Sequence, residues 1–261
     1  LARLCAGKDP GDVVVGQVDI KDALYRMAIP EVLRPYFGLR PVSARYVRDS
    51  VHISSNSRRY RAPDSVVWPR MRCLPMGWSW ALWWCQAIHE RAVQEAGLPE
   101  ETRMADGFPV ESLSSYPHLQ YVDNFAIFGP DRIGVQKRLD DVCRVLEGRG
   151  LPLHKQQVDE GIATVLGWEI DGPGRQVRPK KERVWRIRLA IRGLLRRGRV
   201  SSADMERLLG HMCFVSLIRR ESLSVLDSCY KFVVKTRHVK REMQIWDSVC
   251  LLYTSDAADE R

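Results

Sequence analysis

The chain has 261 residues, 45% hydrophobic and 28% charged, a balance that suits one large or two modest globular domains and excludes a disordered polypeptide. No stretch approaches the 18 or so consecutive apolar residues of a membrane span, and the first residues lack the apolar core of a signal peptide; no membrane partner and an intracellular location, cytoplasm or nucleus, are expected. The net charge is +9, yet residues 175–199 alone carry eleven basic side chains and one acid, leaving the remainder close to neutral, so a polyanionic partner is expected on that segment.

In chain order, residues 13–18 form a short apolar run suited to a buried strand that ends at Asp19. A helix is expected over 22–29, stopped by Pro30. Residues 37–72 mix short β-prone pieces with Pro, Ser, Asn and Arg, which reads as an irregular, partly β region with a polar tip near 54–59. Residues 81–96 are strong helix formers without Gly or Pro. A loop is expected over 97–118, then a tight hairpin in which Val122, Asp123 and Asn124 occupy the turn between two apolar pieces. A helix over 131–147 ends at Gly148 and Gly150, and strand-like pieces follow at 163–170 and 175–179. Beyond about 175 the chain reads helical. Val184, Ile187, Ile191 and Leu194 recur at helical spacing, Ser201 and Asp204 fit a capping box, and a further helix is expected over 221–235. Residues 253–261 change character abruptly and are expected to be a non-native tail.

The seven cysteines (Cys5, Cys73, Cys85, Cys143, Cys213, Cys229 and Cys250) are scattered without a C-x-x-C pair, which argues against a disulfide framework and a zinc site. Cys85 and His89 share a helix face as a candidate ligand pair, with packing the expected role. Trp78, Trp80, Trp83 and Trp84 could stack on bases, but core or interdomain packing around a helix start is expected for most of them.

The chemistry lies in three patches. Asp19 closes a strand, with Asp22 three residues on. Residues 74–82 are a Pro-Gly turn feeding a helix. Asp123 sits in a hairpin turn. An acid at a strand end and an acid in a distant hairpin turn converge only if those strands are neighbours, and two converging carboxylates repel unless a divalent cation lies between them. Such a pair suits phosphoryl transfer.

In their order, these patches resemble motifs A, B and C of reverse transcriptases from retroelements. The sequence Gly150-Leu151-Pro152-Leu153-His154-Lys155 resembles the segment whose lysine lies near the incoming triphosphate. Leu166-Gly167-Trp168 resembles the hairpin that grips the primer. Residues 201–215 resemble the linker after the thumb in long-terminal-repeat and related tyrosine-recombinase-type elements, and the resemblance spans about residues 12–245. It implies an α+β right-hand polymerase: palm with partial fingers over 1–175 (fingers about 31–73), a basic helical thumb or connection over 176–250, and a tail over 251–261. It also implies Mg²⁺ or Mn²⁺ on Asp19 and Asp123, with Asn124 assisting catalysis. Ile20, Lys21, Asp22, Ala23, Leu24, Met76, Gly77 and Lys155 are implied at the dNTP, and Gly167, Trp168, Lys180, Lys181, Arg196 and Arg197 on an RNA/DNA template-primer.

Three positions depart from the family pattern. Asn124 stands where a second aspartate is usual, Leu24 where an aromatic gate blocks the ribose 2′-hydroxyl, and Met76 where the retroviral version has glutamine. The resemblance further implies a fragment lacking most of the N-terminal fingers and any ribonuclease H domain. Two rival readings are a degenerate, non-catalytic nucleic-acid-binding remnant and an RNA-templated RNA polymerase.

Overall fold

The computed structural model describes residues 13–46, 65–105, 112–239 and 241–254. Its elements are β1 (Val14–Ile20), the one-turn helix α1 (Ala23–Arg26), a 3-10 segment Glu31–Phe37, β2 (Val42–Ser43), β3 (Val66–Val67) and α2 (Ala81–Glu95). Then come β4 (His118–Tyr121), β5 (Asn124–Gly129), α3 (Arg132–Gly148), β6 (Leu153–Asp159), β7 (Ile162–Val165), β8 (Trp168–Asp171) and β9 (Gln176–Pro179). The remainder comprises α4 (Lys181–Arg197), β10 (Arg199–Val200), α5 (Ser202–Ser216), a 3-10 segment Arg220–Leu226, α6 (Asp227–Thr236), β11 (Met243–Gln244) and α7 (Asp247–Thr254). Contacts divide the chain into two units. One runs to Ala163 and includes Gly172–Arg175; the other holds Thr164–Asp171 and everything from Gln176.

The first unit is built on a sheet of order β4-β5-β1-β6, antiparallel in each pairing. Side chains alternate across a strand, so Val14, Gly16, Val18 and Ile20 share one face of β1. The β1–β5 register adds Phe125, Ile127 and Gly129 to that face, and the β4–β5 register adds His118 and Gln120. Helix α3 packs on this face against β1 and β5, and α2 packs against β4. Val18, Ile20, Phe125 and Ile127 are each no more than 1% exposed; burying a side chain of this size stabilises the fold by about 1.5–3 kcal/mol. Asp19 lies on the opposite face.

Helix α3 starts where the sequence predicts, because the Asp131 carboxylate accepts the Gly134 N–H at 2.6 Å in an ordinary N-cap. Helix α1 is shorter than predicted. Met27 is extended, its carbonyl accepts the Leu74 N–H, and Ala28 bridges Cys73, so pairing with the 72–74 segment wins over helix propensity. Strand β6 is an element the sequence reading missed. Its LHKQQVD sequence has two apolar residues and is mostly exposed; what makes it a strand is its ladder to β1. The piece at 163–170 is two strands broken at Leu166 and Gly167, both at positive φ (49° and 83°), as a two-residue hairpin turn requires.

In the second unit, β8 and β9 pair antiparallel. The helices share a core that includes Leu194, Met205, Leu208, Leu226, Phe232 and Val249. Helix α4 buries only Leu194 fully, with Ile187 and Ile191 packed at the edge. Val184, predicted on the same stripe, is 45% exposed. The Ser201 hydroxyl accepts the Asp204 N–H at 3.1 Å and donates to the Asp204 carboxylate at 2.7 Å, so the predicted cap forms. The helix expected over 221–235 is split into the 3-10 segment and α6. Helix α7 runs through Tyr253 and Thr254, the first two residues of the expected tail; 255–261 and the polar tip at 54–59 lie outside the described residues. No described helix is long and apolar enough to cross a membrane.

Gly16 marks a close approach of helix and sheet: a Cβ there would lie 2.8 Å from Val135 Cγ1 on α3 and 3.0 Å from Ile127 Cγ2 on β5. Gly16→Val is expected to destabilise the chain by about 1–3 kcal/mol through overpacking. Urea denaturation checks this, and an unchanged midpoint would contradict the tight packing.

Candidate functional site

The end of β1 gathers the acids. Asp19 pairs across the sheet with Asn124 on one side and His154 on the other. The Ile20 N–H donates to the Asp123 carbonyl at 2.8 Å and the Lys21 N–H to the Pro152 carbonyl at 2.8 Å. The strand, the hairpin turn and the start of β6 therefore meet at one corner, on the face away from α2 and α3. Asp19 keeps 20% of its side chain exposed. The Asn124 amide donates to Asp123 Oδ1 at 2.8 Å.

A bulge supplies the corner's cation. Between Gln17 and Asp19 on β1, the partner strand runs from Gln157 to His154, one residue more than a regular ladder contains. Lys155, inside it, has φ 54°. Regular alternation sends neighbouring side chains to opposite faces, but a bulge re-aims one of them. Here Lys155 Nζ lies 3.2 Å and His154 Nε2 3.8 Å from the same Asp19 oxygen.

The other residues implied at the nucleotide divide by burial. Ile20 and Ala23 are core residues and Leu24 packs against the core, so Ile20 and Ala23 offer only backbone to the surface. Lys21 and Asp22 are exposed. Asp22 is left-handed (φ 55°) and makes no side-chain cap. Met76 is exposed, and its sulfur accepts the Tyr25 hydroxyl at 3.3 Å. Gly77, at φ 89° with open space where a Cβ would be, turns the chain towards α2.

Helix α2 lies behind the turn. Cys85 and His89, the candidate ligand pair, are buried and both address the Val122 carbonyl, from Sγ at 3.6 Å and Nδ1 at 3.0 Å. Burial, then the Asp123 charge, pushes the Cys85 thiol up to about 11, so it is no ready metal ligand. Trp78 packs on Phe37 with ring centroids 5.0 Å apart. Trp80, Trp83 and Trp84 are 57%, 53% and 45% exposed, so they lie outside the core that was one of the two packing roles expected. They pair edge-to-face with one another at the surface.

Asp19, Asp123 and the Asn124 carbonyl oxygen are hard oxygen donors, the type Mg²⁺ and Mn²⁺ prefer. The Lys155 ammonium on Asp19 demonstrates that the corner accommodates positive charge. No group of three or more His, Cys, Asp and Glu converges as a metal site among the described residues. Two carboxylates suffice for Mg²⁺ where substrate phosphates and water complete the octahedron. The donor set fits such an ion by type.

The implied nucleic-acid residues belong to the second unit. The Trp168 ring stacks on Phe214 (4.7 Å, 12°), and the Arg183 guanidinium lies 3.9 Å from the Phe214 ring centroid on α5. Trp168 is thus committed to packing. Gly167 lies against Phe214 as well, where a Cβ would come within 3.1 Å of the ring. Lys180 precedes α4 without a side-chain cap, and Lys181, Arg196 and Arg197 are exposed on it.

No family model and no curated protein matches the chain. Solved structures do. A foamy viral protease-reverse transcriptase in complex with an RNA/DNA hybrid aligns with a TM-score of 0.60 at 12% identity, over 98% of this chain and 28% of that one. The foamy viral protease-reverse transcriptase in complex with dsDNA aligns at 0.56 and 12%, over 98% and 42%. The chain spans less than half the length of either. The likeness shows a mixed fold of helices and antiparallel sheets, similar to that of a reverse transcriptase.

Two histidines behind the corner tie stability to pH. Burial holds His118 down to about 4, and burial also lowers His89. Both stay neutral in the fold, whereas in the unfolded chain each protonates near its ordinary 6.5. Stability is therefore full above about pH 7 and is lost as pH falls from 6.5 towards 4, by roughly 2–3 kcal/mol for His118. His118→Gln is expected to flatten that fall, measured by urea denaturation between pH 7.5 and 4.5.

Proposed function

We propose that the chain carries out template-directed DNA synthesis as the reverse transcriptase core of a retroelement, taking dNTPs on an RNA/DNA template-primer. The observation that carries this reading is the pairing of Asp19 with Asn124, which brings Asp123 and Asp19 to one half-buried corner of the sheet. The likeness to viral reverse transcriptases supports it. In this reading the β4-β5-β1-β6 sheet with α2 and α3 is a palm, residues 31–73 contribute to fingers and the α4 region is a thumb. Met76 and the α5 sequence favour the long-terminal-repeat or tyrosine-recombinase branch.

The residues then take the following roles. Asp19 and Asp123 would hold Mg²⁺ or Mn²⁺, which when bound lowers the pKa of the primer 3′-hydroxyl and neutralises the departing pyrophosphate. Asn124 adds a neutral oxygen, a weaker donor than a carboxylate. Lys155, already aimed at Asp19, is within reach of a phosphate held there and can donate to it. The backbone of Ile20–Leu24 forms the floor under the triphosphate, and Met76 and Gly77 face the nascent base pair. Leu24, smaller than the usual aromatic gate, leaves more room for a 2′-hydroxyl.

In the second unit, Lys180, Lys181, Arg196 and Arg197 neutralise phosphates, which sets position without reading sequence. A groove of about 320 Å³ between α4 and α5, lined by Arg186, Arg197, Arg207, His211, Asp204 and apolar side chains, extends the cationic surface. Gly167 and Trp168 support the hairpin beside it through the Phe214 stack. Asn124 favours one other reading, a non-catalytic nucleic-acid-binding remnant, since its amide neutralises no metal charge.

Primer extension decides between the two. Asp19→Asn is expected to lower incorporation roughly 100-fold or more in this chain or a longer version of it. Equal incorporation by parent and variant overturns the polymerase reading, and a strong rNTP preference overturns the DNA product. Reversing the charge of Arg196 and Arg197 is expected to weaken binding alike for all sequences and to lower the log–log salt slope by about 1–2. A filter-binding titration at several salt concentrations measures both quantities.

A further inference from the structure

Val122 is a β-branched residue held at φ 58°, a conformation that costs on the order of 1–3 kcal/mol and persists only where its surroundings over-determine it. It immediately precedes Asp123. Strand β4 is at the sheet's edge, so among the described residues no further strand of that sheet meets the outer peptide groups of the turn.

Helix α2 meets them instead. Gln86 Oε1 accepts the Val122 N–H at 2.7 Å, and Gln86 Nε2 donates to the Gln120 carbonyl at 3.1 Å. One side-chain amide thus supplies the acceptor and the donor that a fifth strand would supply. The same Nε2 donates to Glu90 at 2.8 Å, and Glu90 is held by Arg103 at 2.7 Å, which anchors the amide from behind. His89 Nδ1 lies 3.0 Å from the Val122 carbonyl. A carbonyl only accepts, so Nδ1 carries the proton. His89 is fully buried, and its Nε2 has no hydrogen-bond partner among the described residues. Burying an imidazole for one hydrogen bond is a poor way to fill a core, and an aliphatic side chain would fill the same space without a polar atom to satisfy.

We propose that Gln86 and His89 are positioning residues: by gripping both peptide groups of Val122 they lock the strained turn and fix the direction in which Asp123 leaves it. The clamp stands on geometry alone; its consequence for metal binding rests on the polymerase reading.

Two readouts separate the clamp from that reading. Hydrogen exchange of the Val122 amide, followed by NMR without metal, is expected to accelerate about 10-fold or more in Gln86→Met. Unchanged exchange overturns the clamp whatever the chain catalyses. Mn²⁺ affinity, read by electron paramagnetic resonance, is expected to fall about 10-fold in His89→Leu and to recover in His89→Asn, whose amide nitrogen can take the place of Nδ1. A His89→Leu protein that stays folded with parental Mn²⁺ affinity overturns the positioning role, even if its Tm falls. Parental Mn²⁺ binding no stronger than that of Asp123→Asn overturns the metal reading instead, and leaves the clamp to be judged by exchange.

Discussion

The pairing of β1 with a strand on each side is the constraint from which the rest follows. Side chains alternate with a period of two, so the register that sends Val18 and Ile20 into the core also sends Asp19 to the open face. A slip of one residue would turn Asp19 into the apolar core and expose the apolar set, a large loss on both counts. Core packing and carboxylate placement are therefore one decision. Gly16 makes it sharper, because the close approach of α3 tolerates no side chain at that point in β1.

Around this rigid strand, irregular backbone collects at one end. Asp22, Val122 and Lys155 all have positive φ without being glycine, and each lies next to an element that meets the end of β1. They are held in different ways. The Asp22 carbonyl accepts from Tyr25 and Arg26 at the start of α1, Val122 is gripped from α2, and Lys155 sits in a bulge with regular pairing on either side. Strain of this kind is kept where it serves a site. In this chain it turns a lysine towards an aspartate and sets the turn that bears a second one.

What the sequence made legible follows the same division. The β1 run, the hairpin around Asp123 and helices α2 and α3 could be read because apolar periodicity and turn chemistry agree there with the final packing. Strand β6 could not, since its polar residues are ordered by a ladder to a distant partner. The exposure of Trp80, Trp83 and Trp84 was hidden as well, as aromatic residues near a helix start ordinarily pack. For Cys85 and His89, i,i+4 spacing correctly put both on one buried face, but nothing local showed that the face meets a peptide carbonyl over thirty positions away. Gln86 gave no local signal at all, because its partners are backbone groups whose lack of a strand neighbour is visible only in the folded sheet.

The electrostatics of the corner explain how it can fold before anything binds. Two carboxylates close together repel in proportion to how poorly water screens them. Here each has a local answer: the Lys155 ammonium beside Asp19 and the Asn124 amide beside Asp123. A third carboxylate in place of Asn124 would lose its donated hydrogen bond and add a repulsion, so the metal-free corner would be less stable and the cation-loaded one more so. Asparagine shifts that balance towards a turn that holds its shape alone. On the proposed reading it does so at the expense of metal affinity, and the geometry of the turn then depends more on the grip of α2 than on any bound ion.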